Sequence, residues 1–150
     1  MANNYLIYIG IGFMSFTSFA QEEDPSCLPP DKKIQKYITA GANAPDAKTA
    51  VDNFNKAIEA APDNAGVYFE YGKYAYNSGV KHYETNPNPA LGDKSFAKAE
   101  EMFEKAAEYC ADYSAEMYYL LGVINYSQSQ MDVSTKWFEK FVAFKHNDNA

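Results

Sequence analysis

From Asp31 onward, apolar residues recur at intervals of three and four, the period of helices that bury one face. A finer grid repeats inside that pattern. Ala50, Phe54 and Ala57, followed five residues later by Pro62, return as Ala99, Phe103 and Ala106 with Ala111 in the proline slot, and again as Ser134, Phe138 and Phe141. Upstream of each lies a second grid: Tyr68, Tyr71-Gly72 and Ala75; Tyr118, Leu121-Gly122 and Asn125; and, more loosely, Ile34, Tyr37, Ile38 and Gly41. Two grids per unit predict two helices per unit. The expected fold is therefore all-α, a helical solenoid of three helix-turn-helix repeats with about six helices. Repeats 31–64 and 115–148 are each 34 residues long, whereas repeat 65–114 carries an insertion at 80–98.

The grid has a physical cause. Small residues (Gly72, Gly122, Ala50, Ala57, Ala99, Ala106) let paired helices approach closely, and Phe54, Tyr68, Phe103, Tyr118 and Phe138 fill the space that remains. Pro62 stops the helix before it. Between Gly79 and Ala99, a step of five residues has become twenty, filled by His82, Tyr83 and the turn-rich Asn86-Pro-Asn-Pro-Ala-Leu-Gly92. The expectation there is a first helix running on by a turn, a loop, and a new helix from near Asp93. Such a loop is either functional or a tolerated surface insertion.

The amino terminus breaks the pattern. Leu6, Ile7, Ile9, Ile11, Phe13, Met14 and Phe16 form an apolar run that stops at Gln21-Glu22-Glu23-Asp24. It reads as a secretory signal, with Ser18 and Ala20 as the small residues of a cleavage site after Ala20. No Lys or Arg precedes the run. At about 16 apolar-leaning residues it is short for a bilayer span, which needs about 20. The polar residues Glu23-Asp24-Pro25-Ser26 before Cys27 do not resemble a lipoprotein signal. The organisation expected is a signal peptide 1–20, a linker 21–30 and a repeat domain 31–148, exported to the periplasm or cell envelope.

Charge narrows the partners. With 13 Lys and Arg against 20 Asp and Glu, the net charge is −7, so the summed field repels a phosphate backbone, and nucleic acid is not an expected ligand. Every cation is lysine, so the planar guanidinium fork that grips phosphate or carboxylate is missing. Two cysteines, Cys27 and Cys110, either form one disulfide in an exported chain or remain two thiols. They lack the Cys-x-x-Cys spacing of redox and zinc sites.

Little catalytic chemistry stands out. His82 and His146 have no second ligand at a metal-binding spacing and read as solvated surface residues. Glu100, Glu101, Glu104 and Glu108, interleaved with Lys98 and Lys105, read as the charged outer face of an amphipathic helix. No phosphate-binding glycine loop or serine elbow is present. No enzyme activity, cofactor or metal is expected.

The two grids together resemble the tetratricopeptide repeat, clearly over 65–148 and more loosely over 31–64. The run from Ala99 to Tyr113, with Tyr118-Tyr-Leu-Leu-Gly122 and Trp137-Phe-Glu-Lys140, is similar to the amino-terminal repeat region of exported Bacteroidota envelope proteins. In those proteins a β-propeller and an OmpA-like peptidoglycan-binding domain follow, and neither occurs in this sequence. The resemblance implies a non-catalytic protein-interaction module, a scaffold or adaptor of the cell envelope. The alternative is the amino-terminal part of a larger envelope protein whose functional domains lie beyond Ala150.

Stacked helix pairs expose a concave surface lined by the first helix of each repeat. That surface is expected to present Lys32 and Gln35, then Phe69, Lys73, Tyr76 and Asn77, then Glu116, Tyr119, Val123 and Tyr126. Its tyrosines serve either as binding hot spots or as packing against neighbouring helices. Gln35, Thr39 and Glu70 stand where chaperone-tail adaptors of this family carry basic and Asn residues, so that role is not expected. The last helix, near 132–145, is rich enough in apolar residues to predict an exposed edge at Trp137, Phe141 and Phe144, covered by a partner, by self-association or by further sequence.

Overall fold

The computed structural model describes residues 24–85 and 88–147. The segment 1–20, its cleavage point after Ala20 and the side chain of His146 lie outside the described residues. Among the described residues there are six helices and no strand: α1 (Lys32–Ala42), α2 (Ala47–Ala60), α3 (Ala65–Glu84), α4 (Pro89–Tyr109), α5 (Ala115–Ser127) and α6 (Met131–Asn147). The fold is all-α. Each odd helix packs most extensively on the even helix that follows it, giving three successive pairs.

Local chemistry sets several of the helix starts. The Asp31 carboxylate accepts from the amides of Lys33 and Ile34 at 2.8 and 2.9 Å, and Asp46 accepts from Thr49 at 2.8 Å, each satisfying amides that have no partner within the helix. Asn88 does the same for Leu91, with Pro89 at the first helical position, where its missing N–H costs nothing. Both carboxyl groups, Asp24 and Asp46, are held below the usual carboxylate range by the side-chain and amide hydrogen bonds of Ser26 and Thr49 respectively.

The pairs close on glycine. A Cβ at Gly72 would lie 2.6 Å from the Phe103 ring, and one at Gly122 would lie 2.6 Å from Phe138, so the ring of the second helix sits directly on the backbone of the first. Gly41 meets Phe54 in the same way. Phe54 and Phe103 are fully buried, each contributing roughly 1.5–3 kcal/mol of transfer free energy. Ser134 stands where the other repeats carry Ala. It is buried, and its hydroxyl donates to the Gly122 carbonyl at 2.8 Å, which offsets the polar atom's desolvation.

The first helix runs on past Gly79 by about a turn, to Glu84, as expected, but the next begins at Pro89, four residues before Asp93. The inserted residues lengthen both helices of the middle pair, leaving four residues between Glu84 and Pro89. The reason lies in the continuing register. Ala75, Gly79 and Tyr83 recur every four residues along α3. Gly79 faces Phe96, and Gly92 on α4 faces Tyr83, so the glycine-to-ring contact repeats in the insertion, once with its direction reversed. Tyr83 also stacks on Phe96 with centroids 5.7 Å apart and donates to Asp93.

Residues 24–30, expected as a linker, form a strap. Cys27 and Cys110 are disulfide-bonded, with Cα atoms 5.2 Å apart. The Ser26 hydroxyl donates to the Tyr109 carbonyl at 2.7 Å, Asn64 donates to the Leu28 carbonyl at 2.9 Å, and Pro30 packs against Gly66 at the start of α3. The strap thus joins the turn after α2 to the end of α4.

The carboxyl-terminal edge also differs from expectation. Trp137, Phe141 and Phe144 are half-buried because α5 receives them: Trp137 stacks on Tyr118 at 5.9 Å, Phe144 meets the same ring at 6.4 Å, and Phe141 meets Tyr119 at 5.5 Å. Among the described residues, the large apolar side chains that α6 leaves open are Met131, Val133 and Val142, the last 52% exposed.

Candidate binding groove

The residues expected to line a concave face fall into three groups. Lys32 and Gln35 are exposed on α1, where they border a shallow hollow with Lys36 and Thr39. Glu116 is exposed at the start of α5, Tyr119 and Tyr126 are 47% and 61% exposed farther along it, and Val123 is half-buried between them. Tyr119 leans on Phe138 and Phe141 yet keeps about half its surface in solvent, as a recognition residue requires.

Phe69 is a correction. It is 6% exposed and belongs to the core, tilted against Phe103 at 6.0 Å and edge-on to Tyr113 at 5.6 Å. Its register on α3 places it under Lys73, whose ammonium lies 4.8 Å from the ring centroid and 2.9 Å from Glu70. Tyr76 is intermediate: it is half-buried against Phe96 at 5.6 Å, and burial pushes its hydroxyl pKa up, with Tyr119 contributing further.

Asn77 is exposed and lines a cleft of about 550 Å³ between the turn 42–47 and the side of α3. Lys73 and Asn77 were legible in the repeat register. Ser78, Lys81, His82 and Thr85, which complete the wall, were not. Lys81, His82 and Thr85 come from the insertion, where the expected extra turn of α3 was not assigned to any surface, and Ser78 lies just before it.

Behind the groove, Asn125 is fully buried and donates to Glu100 at 2.9 Å and to the Leu121 carbonyl at 3.0 Å, tying α5 to α4. Glu104 has its carboxyl pKa raised by burial first and by Glu100 second. Lys98 lowers that of Glu101 through a direct hydrogen bond. These carboxylates sit on the α4 side of the molecule and do not line the cleft.

Among the described residues no group of three or more His, Cys, Asp or Glu side chains is placed to hold a metal ion. No helix among them is long and apolar enough to cross a membrane. Comparison with known proteins adds no relative: no family model matches the chain, and neither a curated protein nor a solved structure matches it.

Proposed function

We propose that this chain is an exported, non-catalytic protein-interaction module, a tetratricopeptide-type scaffold of the cell envelope. The observation that carries the reading is the pair of exposed tyrosines on α5, Tyr119 and Tyr126, with partly exposed Lys73, Tyr76 and Asn77 on the preceding odd helix, α3. Partly exposed tyrosines on rigid helices offer large contact area at low entropic cost, the property of interface anchors. The Cys27–Cys110 bridge supports export, since structural disulfides persist in oxidising compartments. Capture from an envelope fraction tests the binding claim. Tyr119→Ala with Tyr126→Ala is expected to weaken capture while helical circular dichroism stays unchanged, and undiminished capture by that double variant would remove these residues from the interface. Mass spectrometry of protein from the native host is expected to find Gln21 as the first residue. An intact Met1 would count against export by signal cleavage.

A further inference from the structure

The cleft beside α3 exists because that helix outruns its neighbours. α3 has 20 residues, against 11 in α1 and 13 in α5. In repeat register α1 stops at the level of Tyr76, so α3 overhangs it by eight residues, about 12 Å at 1.5 Å per residue. The overhang turns the flat edge of the first pair into a corner, with the turn 42–47 as floor and Asn77, Ser78, Lys81 and His82 as wall. At about 550 Å³ it is within the range of ligand-sized depressions.

The corner's charges are not balanced. Two carboxylates border it, and both are already engaged: Asp46 accepts the amide and hydroxyl of Thr49 as the cap of α2, and Glu70 pairs with Lys73 at 2.9 Å. Glu84, farther along α3, does not line it. What remains for a ligand is a set of donors, namely the Lys81 ammonium, an N–H of the His82 ring, the Asn77 amide and the Ser78 hydroxyl. None of these side chains has a hydrogen-bond or ion-pair partner among the described residues. This imbalance runs against a chain whose net charge is −7.

We propose that this corner receives an acidic segment of a partner protein in extended form, with a carboxylate side chain set between Lys81 and His82 and the peptide backbone held by Asn77 and Ser78. The inference rests on the interaction-module reading and adds the chemistry of the partner. A carboxylate suits these donors, since the ammonium and the single N–H groups can each reach one of its oxygens.

The test uses a fluorescein-labelled decapeptide alternating Glu and Ala, with a Gln-for-Glu counterpart, followed by fluorescence anisotropy at low salt. The Glu peptide is expected to bind and the Gln peptide to bind at least about tenfold more weakly, the loss of one charge-assisted contact. Lys81→Ala and Asn77→Ala are each expected to weaken the Glu peptide by a similar factor with helicity unchanged. Lys136→Ala, which removes the same charge from the exposed face of α6, is expected to leave it unaltered. Equal binding of the two peptides, equal loss in Lys81→Ala and Lys136→Ala, or no binding of the Glu peptide would each overturn the proposal. Any of these alongside capture that still depends on Tyr119 and Tyr126 would leave the interaction-module reading standing.

Discussion

Tyr68 donates its hydroxyl to the backbone carbonyl of Pro62 over 2.7 Å, across the turn that joins the first helix pair to the second. Tyr118 repeats the contact one pair later, donating to Ala111 at 2.9 Å. Pro62 and Ala111 occupy the same slot of the repeat grid, so one tyrosine per joint ties the start of an odd helix to the end of the even helix before it. Tyr68→Phe and Tyr118→Phe are each expected to cost about 0.5–1.5 kcal/mol in urea unfolding, the net value of one such bond. A variant as stable as the parent would show that water replaces the contact without loss.

The same tyrosines set an alkaline limit. Burial foremost, with Tyr109 next, pushes Tyr68 up to about 12, and burial also raises Tyr71, Tyr113 and Tyr118. A folded-state pKa raised above the ordinary 10.0 means that the neutral form is favoured by folding, so that stability is fully present below pH 10 and is lost as pH climbs through the folded value. Ellipticity at ~222 nm is expected to hold to about pH 10 and to fall between about 10 and 12 together with the rise of tyrosinate absorbance. Ionisation of these four hydroxyls, read by difference against the corresponding Tyr→Phe variants, well before any loss of helix would place them in solvent.

The glycine-to-ring contacts predict a steric penalty. Gly72→Ala and Gly122→Ala introduce a Cβ at 2.6 Å from a buried or half-buried phenylalanine, and each is expected to lower stability by about 1–3 kcal/mol. Phe103→Leu in the Gly72→Ala background is expected to cost less than the sum of the two single changes, because the smaller side chain gives the methyl room. Strict additivity in that double-mutant cycle would mean that the two residues do not touch.

The strap predicts a reduction-sensitive stability. Its disulfide closes a loop with a sequence separation of 83 residues, for which restriction of the unfolded chain is worth about 2–5 kcal/mol. Dithiothreitol, or Cys27→Ser with Cys110→Ser, is expected to lower the unfolding free energy read from urea titration by that amount, with a matching fall in the midpoint. Amide exchange is expected to rise first in residues 24–30 and around Gly66, where the strap packs, with the α5 and α6 amides affected least. A midpoint indifferent to reduction would mean that the hydrogen bonds from Ser26 and Asn64 hold the strap alone.

The sequence by itself determined the helical class, the three pairs and their register, because those follow from local periodicity and from small residues that recur opposite large rings. Gly72, Gly122, Phe103 and Phe138 could be placed at the helix crossings from spacing alone, and the structure set which ring meets which glycine. Lys73 and Asn77 could be placed on one helical face by the same reasoning. Tertiary structure decided which members of that face are open. Phe69 shares the register of Asn77 but is buried by Phe103 and by Tyr113, a residue that reaches it from the next joint. Trp137 and Phe141 belonged to an apolar stripe that sequence could not orient, since whether a stripe is an exposed edge depends on how much of it the partner helix covers, and Tyr118 and Tyr119 cover most of it. The cleft beside Lys81 was invisible for a related reason. It is a difference in length between α1 and α3, and a corner between two helices exists only once both have been packed side by side.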